Sequence, residues 1–338
     1  MTTTDKTPRA AQTSANLTRR AAAGLIAAAP FGFSGFAHAQ AYPTAPVKLI
    51  LPFAAGGVAD VTARLVAEKL GNKLGQRFII ENTPGAGGVA AARAVLQAPA
   101  DGQTLALFSN GTAISVPLFK QLRFDPVNEF VPISTLGAFD FLFATGADSE
   151  FKTFADVLAF ARAKPGVLNI GTVTAGSSQN LTAELLKSSA KIDFRIVPFR
   201  ATPEILLAVM NKDVHIVIDS FAAMQSLIAD NKIRALATSG PARGESTPTM
   251  PTAAESGVPG FDVTSWNAIF ARKDTPKPIL DLLNKSIGEV LQEPDLKAAF
   301  LKLGIVPTAS TPEALSARLT GDIAKWGAVI KAAGIEQQ

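Results

Sequence analysis

From residue 42 onward, the hydrophobic positions switch repeatedly between two spacings. Short continuous apolar runs bounded by Gly, Pro or Asn mark buried strands, and apolar residues three and four apart mark amphipathic helices. VKLILPF (47–53) reads as a strand and Val61 to Leu74 as the helix after it. RFIIEN (77–82) and TLALFS (104–109) read as strands with a helix over 88–98 between them. A connection containing proline, 117–132, leads to ISTLGAFDFLFATG (133–146), long enough to run between two domains. A second series follows: helix 154–164, strand 167–172, helix 179–190, strand 194–199, helix 202–213, strand 214–220, helix 224–231 and strand 233–239. A tract rich in Pro, Gly, Ser and Thr (240–260) then precedes VTSWNAIFARKD (263–274), a strand expected to return to the first domain. Helices over 278–291, 295–302 and 312–332 close the chain, with the strand-like GIVPT between the last two.

This alternation predicts α/β layers with mostly parallel sheets. The order predicts two α/β lobes joined by two crossing segments, residues 42–142 with 268–338 as lobe 1 and residues 143–267 inserted as lobe 2. The chain has 338 residues, 47% of them hydrophobic, enough for a large core.

Residues 1–39 break the pattern. Thr18-Arg-Arg20 is followed by AAAGLIAAAPFGFSGF and then by Ala37-His-Ala39. A basic segment, an apolar segment and an A-x-A site predict a secretory signal peptide cut after Ala39, with the paired arginines compatible with the Sec or the twin-arginine route. The leader carries Lys6, Arg9, Arg19 and Arg20 against Asp5, so its loss lowers the formal charge from +4 to +1. No basic run or basic–aromatic alternation then points to nucleic acid. His38 leaves with the leader, so His215 is the remaining histidine, and the chain has no cysteine. A Cys/His zinc site, a Cys nucleophile and a disulfide framework are excluded. No apolar stretch after residue 40 approaches the roughly 18 residues of a membrane span, which predicts a soluble exported protein.

Three loops share one design: a strand end, small residues with free backbone N–H groups, then a helix start. They run from Phe53 to Asp60, from Ser109 to Ser115 and from Thr172 to Gln179. Ligands of open α/β sheets bind outside the carboxyl ends of strands, and the first N–H groups of a helix lack intrahelical partners and suit an anion. Asp60 reads either as a first-turn carboxylate that favours the helix dipole or as a contact to a ligand. Ser177 and Ser178 read as caps, ligand contacts or one of each. Gly85 to Gly88 reads as a tight packing point or a fourth contact.

The parts for bond breaking are missing. There is no G-x-x-x-x-G-K-[ST], no dinucleotide fingerprint and no G-x-S-x-G elbow, and His215 sits in an apolar strand-like run as a packed histidine. Glu81 and Asp219 both end strands, and nothing in the sequence brings them together. No catalytic residue, metal ligand or cofactor is assigned, and the loops look built for holding.

YPTAPVKLILPFAAGGVAD, then TARLVAEKLGNKLGQRFIIENTPGAGG, resembles the extracytoplasmic solute-binding proteins of the tripartite tricarboxylate transporters, also called Bug receptors. The likeness continues through FDPVNEFVPIS, KPGVLNIGT, IVPFRATPE, IRALATSGPARGESTPTMPTAAESGVPGFDVTSW and the DTPKPIL helix start, essentially the whole chain after the leader. It implies a type II periplasmic binding protein fold, with two α/β lobes closing by a hinge over a small carboxylated ligand. It also implies delivery to a membrane permease, with the receptor a monomer. By position, the resemblance puts Phe53, Ala55, Gly56, Gly57 and Asp60 in the carboxylate loop and Asn110 and Thr112 beside it. Gly176, Ser177 and Ser178 fall on the opposite lobe, with Arg200, Ala201 and Asp219 on the far wall. The chain departs from the family pattern at Ala55 (commonly Pro), Thr83 (often Arg), Asn180 (commonly His) and Ala201 (often Gly).

Backbone amides and a few hydroxyls suit one carboxylate. Phe53, Phe108, Phe139, Phe221 and Trp266 are candidates for an apolar wall, which favours a mono- or dicarboxylate over a tricarboxylate. An extracytoplasmic sensor and a secreted hydrolase are the other classes compatible with the fold, the second lacking a nucleophile, base or metal set.

Overall fold

Val47, Leu49 and Leu51 of β1 (Val47–Leu51) turn to one face of a sheet and Ile50 to the other, and all four are buried. A strand covered on both faces reads as a near-continuous apolar run, broken here at the exposed Lys48. The computed structural model describes residues 42–338 apart from Ala175, so the expected leader lies outside the described residues.

The first series is β1, α1 (Val58–Leu74), β2 (Phe78–Asn82), a short 3-10 turn at Ala86–Gly88, α2 (Val89–Gln97), β3 (Thr104–Ser109) and α3 (Asn110–Leu118). β4 (Phe130–Gly146) leads to α4 (Phe154–Ala163), β5 (Asn169–Val173), α5 (Ser178–Ala190), β6 (Arg195–Phe199), α6 (Thr202–Met210), β7 (Ile216–Ser220), α7 (Phe221–Ala229) and β8 (Ile233–Thr238). β9 (Thr264–Arg272), α8 (Lys277–Val290), α9 (Pro294–Lys302), β10 (Val306–Pro307) and α10 (Pro312–Ala333) complete the chain.

The strands follow the order β2-β1-β3-β9-β4-β7-β5-β6, with β8 and β10 also pairing β4. β4 pairs antiparallel with β9 from Phe130 to Asp140, and with β7 and β8 from Phe141 onward. One strand therefore serves both halves of the sheet. The strands that feed the loops from each half end on either side of this change of partner.

The mostly parallel pairing expected from the alternation holds only on the flanks, where β1 pairs β2 and β3 and β5 pairs β6 and β7. The centre is antiparallel because β9 inserts between β3 and β4. Two further differences have local causes. β4 begins at Phe130, within the expected connection, and Pro132 is accommodated where the register against β9 shifts. Residues 110–118 are helical rather than looped, because Ser109 and Thr112 form a reciprocal capping box.

Apolar side chains pack in three groups. One covers the face under α3, α4, α5 and α10, one lies between the first half-sheet and α1, α8 and α9, and one lies under α6 and α7. Trp326 of α10 donates from Nε1 to Asn110 Oδ1 at 2.6 Å, and Trp266 of β9 donates to Asp322 at 2.7 Å. These bonds fasten the last helix to both α3 and β9.

Candidate functional site

Five helices begin at one cavity of about 520 Å³. The first half of the sheet contributes Gly57, Val58 and Ala59 at the start of α1, and Ser109 and Gly111 at the start of α3. The second half contributes Ser178 and Gln179 (α5), Thr202 and Pro203 (α6), and Ser220, Ala222 and Ala223 (α7). Each start presents N–H groups with no acceptor inside its own helix and the positive end of a dipole. Ser109, Ser177 and Ser220 cap α3, α5 and α7 with their side chains, whereas Gly57 of α1 and Ala201 of α6 make no side-chain cap bond. The α1 start is therefore the more open set of donors on its half.

Apolar surface completes the wall through Phe53, Phe139, Phe141, Leu303 and Ile305. The Phe139 and Phe141 rings meet edge to face, their centroids 5.9 Å apart. Among the described residues, Asp219 is the one ionisable side chain in the lining. The lining offers an anion amide and hydroxyl donors without a cation, and offers an alkyl or aryl body aromatic surface.

The β1–α1 loop is braced from one buried carboxylate. Asp60 Oδ2 accepts from the Gly56 N–H and from Arg64 Nε, both at 2.9 Å, while Oδ1 accepts from Asn82 Nδ2 at 2.9 Å. Asn82 also donates to the Phe53 carbonyl at 3.0 Å, so both ends of the loop return to Asp60. Burial pushes this carboxyl upward, but the bonds from Arg64, Gly56 and Asn82 together hold it below its ordinary value. Gly56 has φ +86°, a conformation that other residues adopt only with strain.

Across the cavity, Asp219 Oδ1 accepts from the Ser220 N–H at 2.7 Å and from Gln179 Nε2 at 3.3 Å, and Oδ2 accepts from Thr202 Oγ1 at 2.6 Å. Burial pushes its carboxyl up, an effect these donors partly offset.

Of the residues expected at the site, Phe53, Gly56, Gly57, Ser178 and Asp219 line the cavity. Ala55 is exposed and outside the lining, so the position where relatives commonly have proline does not face the cavity. Asp60 is the loop brace. Asn110 links Trp326 to Ser178, donating to Ser178 Oγ at 3.3 Å, and Thr112 belongs to the α3 capping box. Gly176 packs against Leu118, Ser177 caps α5, Arg200 is exposed and Ala201 is the exposed N-cap of α6. Asn180 Oδ1 accepts from the Gly176 N–H at 3.0 Å, tying that loop down.

Of the expected apolar wall, Phe53 and Phe139 line the cavity. Phe108 sits in an aromatic cluster with Phe124, Phe130 and Phe270, Phe221 packs on Gly304, and Trp266 is buried against α10. Gly85 to Gly88 lies outside the lining, with Gly87 packed against Phe119 and Leu122. His215 is half-buried and accepts from the Asn169 N–H at 3.0 Å, away from the cavity. Glu81 pairs with Lys48 and does not meet Asp219.

Sequence reasoning missed Thr202 and the α7 start as lining, although FRATPE and IDSFAA repeat the same strand-end, helix-start design. It also missed Ser265 and Asn267, whose signal was two polar residues inside the otherwise apolar stretch SWNAIFA. Among the described residues, no cluster of three His, Cys, Asp or Glu side chains is placed to hold a metal, and no helix is long and apolar enough to cross a membrane.

Residues 62–335 match the family model described as "Tripartite tricarboxylate transporter family receptor". The fold is similar to that of Rpa4515 of R. palustris, solved with adipate: TM-score 0.78, 31% identity, 87% of this chain and 98% of that one. The periplasmic binding protein BugD gives 0.75 and 28%, over 88% of this chain and 100% of its own. MatC of Rhodopseudomonas palustris, solved with malate, gives 0.73 and 30%, over 86% and 100%. These likenesses identify the architecture as a periplasmic binding protein fold.

Proposed function

Because the chain belongs to the tripartite tricarboxylate transporter receptor family, we propose that it captures a small organic carboxylate in this cavity and hands it to a membrane permease of that class. The observation that carries the reading is the ring of five helix starts around a cavity whose lining, among the described residues, has no cationic side chain. Such a ring holds an anion through fixed dipoles and N–H donors, each helix start contributing about 0.3–2 kcal/mol.

The lobes are 42–142 with 268–338, and 143–267. The change of partner in β4 between Asp140 and Phe141 supports a hinge there. Export by the Sec or twin-arginine route, with the leader removed, would place a monomer in the periplasm beside its permease. The adipate and malate in two structural neighbours support a mono- or dicarboxylate ligand.

Isothermal calorimetry on the purified protein with adipate, malate, benzoate and citrate tests the reading. Saturable binding of at least one of the first three is expected. Binding of citrate alone would overturn the preference for fewer charges, and binding of none would overturn the carboxylate reading.

A further inference from the structure

Among the described residues, Thr238, Ser246 and Asn267 each bury a side-chain polar atom with no partner, and of the three Asn267 lines this cavity. It stands in mid-strand in β9, 2% exposed, opposite Ser109 of β3 and Gly137 of β4. Its Nδ2 is buried with no hydrogen-bond partner among the described residues, and the residue lines the cavity on the half that carries the β1–α1 loop. An unpaired buried amide is a standing cost to the folded state. A group that accepts its bond on binding removes that cost, and a carboxylate gripped by the neighbouring α1 start is such a group.

Asp219 sets the opposite condition on the other half. Donors from Ser220, Gln179 and Thr202 converge on its two oxygens, which prepares the carboxylate to accept hydrogen bonds. With no cation in the lining among the described residues, a second carboxylate ion brought against Asp219 would either meet like charge or have to share a proton with it in a confined space. An uncharged donor, such as a hydroxyl or a protonated acid, would complete its hydrogen bonding instead.

We propose that the cavity reads its ligand as a polarised pair: an ionised carboxylate at the α1 end, with Asn267 Nδ2 as an added donor, and a hydrogen-bond donor group at the Asp219 end. The inference rests on the carboxylate reading above and narrows it to short acids that carry an uncharged donor at their far end, so a fully ionised dicarboxylate such as adipate should bind more weakly than such an acid. Asn267 and Asp219 together fix the direction in which such a ligand lies.

The test is calorimetry with matched short straight-chain acids, each alkanoate against its ω-hydroxy counterpart, on the unmodified protein, Asn267→Asp and Asp219→Asn. In the unmodified protein the hydroxy acid of at least one pair should bind about tenfold tighter, the worth of one hydrogen bond to a charged acceptor. Asp219→Asn should abolish that preference. Asn267→Asp should weaken both members of a pair equally, by about a hundredfold, because it sets a carboxylate where a donor stood. Near-UV circular dichroism checks each fold, and Asn267→Leu gives the same comparison without an added charge. Equal binding within every pair, or a preference that survives Asp219→Asn, overturns the role of Asp219. Unchanged affinity in both Asn267 variants overturns the role of Asn267. Absence of binding by every acid overturns the carboxylate reading itself, a result separable from the other two.

Discussion

The two rims of the cavity present polar groups by opposite means. On the α1 rim the donors are backbone N–H groups, the N-cap is a glycine, and the supporting side chains Asp60 and Asn82 hold the loop rather than line the cavity. On the α5–α7 rim the lining includes the polar side chains of Ser178, Gln179, Thr202 and Asp219, so side chains face the cavity. A backbone cradle tolerates sequence change while keeping its shape, and suits the feature common to all ligands. Side chains change one at a time, and suit the feature that differs.

The largest effect should come from filling the backbone cradle. Gly57 has φ −78° and ψ 171°, extended backbone open to any residue, and a Cβ there would touch only the Ala54 carbonyl at 4.0 Å. Gly57→Val should therefore put its methyl groups into the cavity without backbone strain and abolish binding of every carboxylate, with a stability loss of no more than about 1 kcal/mol. Gly56→Val differs, because φ +86° makes the side chain itself strained by about 1–3 kcal/mol. Calorimetry with thermal melting separates the two, and full affinity in Gly57→Val would move the anion away from α1.

Next comes the brace. Asp60→Asn keeps the shape but sets an amide among the donors of Gly56, Arg64 and Asn82, leaving at least one unpaired, at about 1–3 kcal/mol. The Asp60 carboxyl lies below its ordinary value of 3.8, so its contribution is present above that pH and lost as pH falls through the folded value. The variant should be less stable at neutral pH and flatter in its acid limb, with weaker binding of all carboxylates alike. Denaturant melts across that range measure the first two effects, and an unchanged acid limb would deny Asp60 its ionised role.

The contrast between rims also explains what the sequence could disclose. The α1 cradle was legible because it is local: strand, paired glycines and helix follow one another within VKLILPFAAGGVAD. Its brace was not, because Asn82 lies 22 residues from Asp60 and only the β1–β2 register brings it back. Asp60 thus read as open between dipole partner and ligand contact, when its carboxylate is committed to the loop. The antiparallel centre was illegible for the same reason. β9 joins β3 across some 150 residues, and no local period records that pairing. Asn110 looked like a loop residue at the ligand, yet its amide spans from Trp326 on the last helix to Ser178.

The smallest effect should come from Ser178, and its uniformity is the point. Its Oγ accepts from Asn110 Nδ2 at 3.3 Å, which leaves the hydroxyl proton to be donated into the cavity. Ser178→Ala should remove one neutral hydrogen bond, weakening binding by about 1 kcal/mol or roughly fivefold. The residue opens α5 on the same rim as Asp219 but carries no charge, so the loss should be equal for an alkanoate and its ω-hydroxy counterpart. A loss that falls on the hydroxy acid alone would mean that Ser178, rather than Asp219, recognises the far end. The rim would then choose ligands through a hydroxyl that α3 holds in place, linking selection to the Asn110 strut.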